Sequence, residues 1–398
     1  MSKLKGVCIG AGYFSKFQYE AWNRIPEVTI AAMCNRNAER AQAIRSEYGV
    51  PRHYIDYREM LEKETGLDGV IVASPDFMHA EHSIACLNAG LHVYCEKEMS
   101  DSIESAAGMV TAAQSSGKLC QIGHQRRSNP VYQNALEMIQ KDKICGQLTN
   151  CYGQWNRSVQ PKLTWPARYV LPDETLKKYG YDSMVEFYNW RWFRKYSSGP
   201  IADLGSHQID IYSWFLGTNP DALVAMGGGD FYPDRQWYED VMVTYDYPTA
   251  AGSVRAFYQV LNTNGFGSYF ERFYGAAGTL NISESLKQCW YVPEGGHEAP
   301  AWMSDVTPIE MNGQSAIPLK DAISAKSPAG AEDMAMFEAK SIHQLHLENF
   351  FDAVRSGDKT RLNCSVEIGY ETAVAVLSVI PAIENGGPTR LPASAYQV

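Results

Sequence analysis

An apolar run over residues 4–9 ends in Gly10-Ala11-Gly12-Tyr13-Phe14-Ser15, and a helical pattern continues to Asn23. A strand, a glycine turn and a helix in that order open a dinucleotide-binding unit. Gly10 permits the tight turn, and Gly12 lets the backbone approach a pyrophosphate. Ser15 stands where the motif has a third glycine and is small enough for helix–strand packing. The helix N-terminus then offers free N–H groups to phosphate oxygens. An ordinary glycine turn has the same letters, so the assignment rests on the pattern of the next hundred residues.

Those residues alternate regularly. Strand patterns over 28–34, 69–73, 92–95 and 119–123 are separated by helical patterns over 38–48, 57–63, 81–88 and 103–115. Strands that are apolar throughout, alternating with helices, predict a parallel sheet covered on both faces. Past His124 the rhythm changes. A helix over 129–141 leads to a strand over 148–155, then to an irregular aromatic stretch over 160–198 and a helix over 201–216. Alternating strands over 241–247, 252–261, 269–274 and 279–282 predict an open antiparallel sheet. Residues 294–332 are rich in Pro, Gly and Ser and read as a surface excursion, and helices over 342–356 and 366–383 close the chain. The expected architecture is α/β: a Rossmann parallel sheet over 1–124, then an α+β domain over 125–398 with a large, mainly antiparallel sheet, the C-terminal helices included.

Composition narrows the partners. The formal net charge is −10, which disfavours nucleic acid and makes a polyanionic substrate less expected, although one pocket can differ from the average. The nine cysteines are odd in number, form no C-x-x-C and lie in apolar runs. They read as small core residues of a reducing compartment. Met1 to Lys5 lead directly into a strand with no secretory pattern, and no uncharged apolar run approaches the ~20 residues of a membrane span. A cytoplasmic protein without membrane contact is expected. His343 and His346 form an isolated H-x-x-H, so no metal site is expected.

The second strand ends in Asn35-Arg36-Asn37. Dinucleotide-binding folds usually place there an acid that holds the ribose 2′-OH. An uncharged residue followed by Arg suits a 2′-phosphate, which tips the expectation to NADP over NAD. The plainer alternative is a solvated arginine beside an asparagine that still binds ribose.

At the end of residues 91–95 stands Glu96-Lys97-Glu98. With Gly10-Ala11-Gly12, it resembles the glucose–fructose oxidoreductase / inositol dehydrogenase / rhizopine catabolism (Gfo/Idh/MocA) family. Other segments are similar in order: Ala73-Ser74-Pro75-Asp76 with His79, Asp203 to Asp210 as D-x-x-x-H-x-x-D, Tyr274-Gly275 with Gly278-Thr279-Leu280, and residues 346–356. The resemblance spans almost the whole chain. It implies an NAD(P)-dependent enzyme, with cofactor contacts at Gly10, Ala11, Gly12, Tyr13, Phe14, Asn35, Arg36, Ser74, Pro75, His79, Glu96 and Lys97. It also implies a homodimer or homotetramer formed through the open sheet. One departure stands out: the family has Pro after the lysine, and this chain has Glu98. Proline fixes φ, so its loss predicts a looser Lys97 loop with a second carboxylate nearby.

The chemistry of the candidates agrees. Lys97 directly follows a parallel strand, and ligands sit at the carboxyl ends of such strands. Asp203, His207 and Asp210 share one face if their helix is regular; a capping Asp and a buried structural His are the plainer alternative. His207 has the intrinsic pKa of a general acid or base, Lys97 can stabilise a developing alkoxide, and Asp203 can orient the imidazole or a substrate hydroxyl. The catalytic candidates are therefore Lys97, Asp203 and His207. The ten aromatics between Trp165 and Tyr196 suit a sugar ring and equally suit a core or oligomer cover. His124, Trp155, Arg157 and Trp192, with Asp203 and His207, are the candidate contacts to a small sugar-like substrate. Arg126 and Arg127 read equally well as solvated. The expected activity is hydride transfer to or from a hydroxyl or keto carbon of a sugar, polyol or glycoside. Behind it stand an NAD-dependent glycosidase that oxidises the ring transiently and, more remotely, a non-catalytic regulatory relative.

Overall fold

The computed structural model describes residues 3–311 and 313–398. Six strands build the first sheet: β1 Leu4–Ile9, β2 Val28–Cys34, β3 Arg52–Tyr54, β4 Gly69–Val72, β5 His92–Cys95 and β6 Cys120–Ile122. All pair parallel, in the order β3-β2-β1-β4-β5-β6. Helices α1 Ser15–Asn23, α2 Ala38–Tyr48, α3 Tyr57–Lys63, α4 His79–Asn88 and α5 Ile103–Ser116 connect the strands. The strand order reverses between β1 and β4, which opens a crevice at their carboxyl ends. Gly10 lines it with φ +137°, and a Cβ there would lie 2.3 Å from the Ala73 carbonyl oxygen, so only glycine fits. The three-residue β3 is too short to leave a periodic trace in the sequence.

Helices α12 Ile342–Ser356 and α13 Val366–Leu377 return from the far end of the chain to this sheet. Leu347, Phe350 and Phe351 share a core with Cys8, Met33, Ile71 and Tyr94. On the other face Val366, Tyr370 and Val374 pack with Val93, Met109 and Ile122. The first 124 residues therefore cover their own sheet only in part, and α12 and α13 complete it. The stretch Val366–Asn385, α13 plus α14 Val379–Asn385, is long and apolar enough to cross a membrane, yet 67% of it is buried inside the protein.

The second sheet has ten strands: β7 Leu148–Asn156, β8 Ala222–Gly228, β9 Asp240–Thr249, β10 Gly252–Leu261, β11 Tyr269–Gly275, β12 Gly278–Ile282, β13 Trp290–Pro293, β14 Ile309–Met311, β15 Gln314–Pro318 and β16 Thr389–Arg390. Their order is β14-β15-β13-β12-β11-β7-β10-β9-β8-β16, antiparallel except for β7 beside β10. Strict alternation along β9 and β10 sends Val241, Val243, Tyr245 and Tyr247, with Val254, Ala256, Tyr258 and Val260, into the core. Helices α6 Pro130–Gln140, α9 Ser206–Leu216, α10 Leu319–Lys326 and α11 Pro328–Ala339 pack with these side chains. The two short helices α7 Asp173–Lys178 and α8 Met184–Tyr188 lie in the aromatic stretch.

Two expectations need correction. Residues 294–332 are not merely an excursion. They add β14 and β15 to the sheet edge, and Leu319, Ala322 and Ile323 are wholly buried; the Pro and Gly residues belong to the turns between these short elements. The helix over 201–216 is not regular either: Ile201–Gly205 is a π-helical turn that runs into α9. All nine cysteines are buried and unpaired.

Candidate active site

The glycine turn presents an open seat. Gly12 is exposed, a Cβ there would meet nothing within 4 Å, and the N–H groups of Gly12, Tyr13 and Phe14 find no acceptor among the described residues. Ser15 Oγ donates to the Gly12 carbonyl (2.8 Å) and Tyr19 OH to that of Gly10 (3.0 Å), fixing the turn. This arrangement fits a pyrophosphate. Tyr13 is exposed, while Phe14 packs against Phe17 and His343. At the end of β2, Asn35 Oδ1 accepts from the Asn37 N–H (2.9 Å), and no carboxylate follows until Glu39. Arg36 donates to Tyr181 OH (3.1 Å) and lies over the Tyr179 ring, and Arg40 donates to the Ala11 carbonyl (2.8 Å).

Along the third loop, Ser74 Oγ meets His82 Nδ1 at 2.9 Å and Pro75 starts a short helix. His79 is wholly buried, its Nδ1 2.7 Å from the Glu98 carbonyl and its Nε2 2.7 Å from that of Ser74. It ties two loops together, and its ring has no nitrogen left for a cofactor. Glu96 is buried on Gln18, and burial pushes its carboxyl up to about 8. The expected looseness after Lys97 is not found. Glu98 is 1% exposed, its Oε1 accepts from the Met99 N–H (2.8 Å), and its carbonyl is held by His79. Burial compensates for the missing proline and raises the Glu98 carboxyl to about 8. The Lys97–Glu98 peptide is cis.

Lys97 reaches from the first sheet to the π-helical turn, where its Nζ donates to the Asp203 carbonyl and lies 3.9 Å from the Asp203 carboxylate. Two arginines meet the same carboxylate: Arg191 Nε at 3.0 Å and Arg157 Nη2 at 3.7 Å. Burial alone would raise the Asp203 pKa, but the charges of Arg191, Lys97 and Arg157 outweigh it and hold the carboxyl well below the usual range. Asp203 thus turns to cations and makes no hydrogen bond to His207 among the described residues. The imidazole is oriented by Trp155, whose ring stacks on it at 5.6 Å and 28°. Tyr269 stacks on the outer face of Trp155 at 4.5 Å. His207 Nδ1 is buried and has no partner. Burial, then the charges of Lys97 and Arg126, hold this imidazole well below its ordinary pKa.

The expected common face of Asp203, His207 and Asp210 is broken. The π-turn rotates Asp203 relative to the α-helical residues after it, while Asp210, still in α9 with His207, is taken up by Arg127 (2.8 Å) and Thr372 (3.0 Å). Arg126 and Arg127 are buried rather than solvated, Arg126 on Glu271 and Glu284. His124 packs beside His207 with both ring nitrogens unpartnered, and burial lowers it to about 4. Trp192 stands apart from these rings; it carries the Arg235 guanidinium at 4.2 Å. Part of the aromatic stretch is core: Leu176, Tyr181, Trp190 and Tyr196 form a cluster of their own.

Sequence reasoning missed Tyr269 and Asp76 as neighbours of the site, and left Arg126 and Arg191 without an assigned place in it. Asp76 stands in the sequence only as the last letter of a motif, yet it is buried beside Arg191 and Asp203, and burial pushes its carboxyl up to about 7.

Residues 4–124 match the family model described as an oxidoreductase family with an NAD-binding Rossmann fold, and residues 175–281 match the GFO/IDH/MocA C-terminal domain. Over 124 residues the chain is 37% identical to 4-carboxy-2-hydroxymuconate-6-semialdehyde dehydrogenase of Sphingobium sp., covering 31% of this chain and 39% of that protein. Over 167 residues it is 30% identical to inositol 2-dehydrogenase of Salmonella typhimurium, covering 41% and 49%. The chain spans less than half the length of either relative. Levoglucosan dehydrogenase, solved with NADH and levoglucosan, superposes with a TM-score of 0.76 at 16% identity, covering 98% of this chain and all of that one. An oxidoreductase domain protein from Kribbella flavida gives 0.76 at 17%, with the same coverage. At such identities the two structures speak for the fold.

Proposed function

Because the chain belongs to the Gfo/Idh/MocA oxidoreductase family, we propose that it is an NAD(P)-dependent dehydrogenase acting on a hydroxyl or keto carbon of a sugar, polyol or glycoside. The observation that carries this reading is the buried His207 Nδ1, which has no partner, on a ring stacked on Trp155; burial and the Lys97 charge favour its neutral form. A neutral imidazole can accept the proton of a substrate hydroxyl. Lys97, pinned by Asp203, donates to the oxygen as it gains charge. Asp203 therefore positions the ammonium, and the Trp155 ring positions the base. The Gly10–Phe14 turn would seat the pyrophosphate, and a nicotinamide bound in the crevice would supply the hydride acceptor or donor. Inositol 2-dehydrogenase and levoglucosan dehydrogenase, both similar to this chain, support a polyhydroxylated substrate.

For the cofactor we favour the 2′-phosphorylated form. Asn35, Arg36 and Arg40 surround the turn after β2, and none of them is an acid that would repel the phosphate. Side-by-side titration of NAD and NADP decides it; equal or tighter binding of NAD rejects the preference.

The catalytic reading is tested by Lys97→Ala and His207→Ala. Each should lower kcat by about 10²–10⁴-fold with cofactor affinity nearly unchanged. Both act on one proton transfer, so the double variant should lose less than the product of the two. Wild-type turnover in either single variant removes that residue from the mechanism.

A further inference from the structure

Three cations from three separate elements meet one carboxylate here: Lys97 after β5, Arg157 after β7 and Arg191 in the short helix Trp190–Trp192, all within 3.9 Å of Asp203. Asp203 balances one of them. The other carboxyl beside Arg191 is Asp76, which burial leaves only partly ionised near neutrality. Three cations thus face one close carboxylate, and burial pushes Glu96 and Glu98, which flank Lys97, towards their neutral forms. The chain as a whole carries −10, so this surplus is local and opposite in sign to the average.

The hydrogen-bond donors point the same way. Arg157 gives its Nε to Asn262 Oδ1 (3.2 Å), and Arg191 gives its Nε to Asp203 (3.0 Å). The terminal nitrogens of both guanidinium groups make no hydrogen bond among the described residues, and both side chains are partly exposed (36% and 44%). A fourth cation, Arg235, stacks on Trp192 at 4.2 Å and on Tyr232 at 3.4 Å, and the Arg157 charge adds to burial in pushing it below its usual pKa. A neutral polyol both donates and accepts, and it needs no such surplus of donors. A group that only accepts and carries negative charge answers both the charge and the free N–H groups, and a planar carboxylate matches the guanidinium fork.

We propose that the substrate is an acidic sugar, whose carboxylate is held by the terminal nitrogens of Arg157 and Arg191 while its reacting hydroxyl faces Lys97 and His207. This rests on the dehydrogenase reading and narrows it to a substrate class.

The test uses the full chain loaded with nicotinamide cofactor and three matched ligands: an aldonate or uronate, the neutral sugar of the same configuration, and the corresponding sugar phosphate. Calorimetry gives Kd, and the nicotinamide absorbance gives turnover. The acid should exceed the neutral sugar in kcat/KM by about tenfold or more, as expected for charge-assisted hydrogen bonds. Arg157→Gln and Arg191→Gln should collapse that ratio, chiefly through KM for the acid. Taking the ratio cancels any general damage from loosening Asp203, and thermal unfolding checks that the variants fold. A neutral sugar or a sugar phosphate that matches or beats the acid overturns the proposal. Should no ligand be oxidised with either cofactor, the dehydrogenase reading fails, and the calorimetric ranking still decides this one. An acid that binds no more tightly than its neutral counterpart, or that binds both variants as tightly as the wild type, refutes it.

Discussion

Glu98 is buried beside Lys97, and its burial has a measurable consequence. Its carboxyl is buried, Oε2 has no partner, and its pKa is raised from 4.5 to about 8. A group whose folded pKa lies above its unfolded one stabilises fully below the unfolded value and loses that contribution as pH rises through the folded value. Glu98→Gln keeps an acceptor for the Met99 N–H but cannot ionise. The variant should therefore match the wild type near pH 5, gain on it as pH rises towards about 8, and hold a constant advantage above that. Thermal midpoints of the two proteins across that range check it; curves that stay parallel defeat the argument. The residues that could be foreseen were those whose own position marks them. Lys97 ends an apolar strand, and His207 lies on a helix just after a Gly-Pro. The pairing of Arg126 and Arg191 could not be foreseen, because Glu271 and Asp203 come from other segments, and pairing is not written in spacing.

Among the elements, the long aromatic segment is the least regular and the most connected. Its own cluster around Tyr181 and Tyr196 docks on Phe77 of the first sheet's loops. Asn37 fastens the other end: its Oδ1 caps α2 by accepting from the Arg40 N–H (3.0 Å), and its Nδ2 donates to the Tyr169 carbonyl (2.8 Å). Losing a cap costs about 1 kcal/mol, and a buried hydrogen bond a similar amount. Asn37→Ala should lower unfolding free energy by about 1–2 kcal/mol and speed proteolytic cutting within residues 160–198. An unchanged cutting rate would mean that the segment is held by its own core alone. Alternating and wholly apolar strands were readable because burial imposes a period on them. The π-helical turn was not, since one extra residue per turn leaves no mark in a five-residue stretch, and it undid the inference that Asp203 shares a face with His207 and Asp210. The edge strands β14 and β15 were hidden by the turn residues around them.

At the level of the whole molecule, the second sheet packs one face on the core and leaves apolar side chains exposed on the other at β8 and β9. Val224, Met226 and Met242 stand exposed on β8 and β9, with Met226 directly opposite Met242 in the register. Apolar side chains grouped on an open sheet mark a contact surface, and a self-complementary face favours a two-fold pair. Sedimentation should give a dimer or tetramer, and Met226→Glu should shift it to smaller species; a wild-type monomer at working concentration would end that expectation. The sequence also placed the two sheets in the right order, but it could not say where the last helices go. An amphipathic helix shows that it has a partner without showing which one. The packing of α12 and α13 on the first sheet bears on how the protein is made. A chain emerging from the ribosome has exposed all six parallel strands by Ile122, yet Phe350 and Tyr370, which cover their two faces, arrive more than two hundred residues later. Until then the nucleotide-binding domain lacks part of the cover of each face, and its packing is completed only by the late helices.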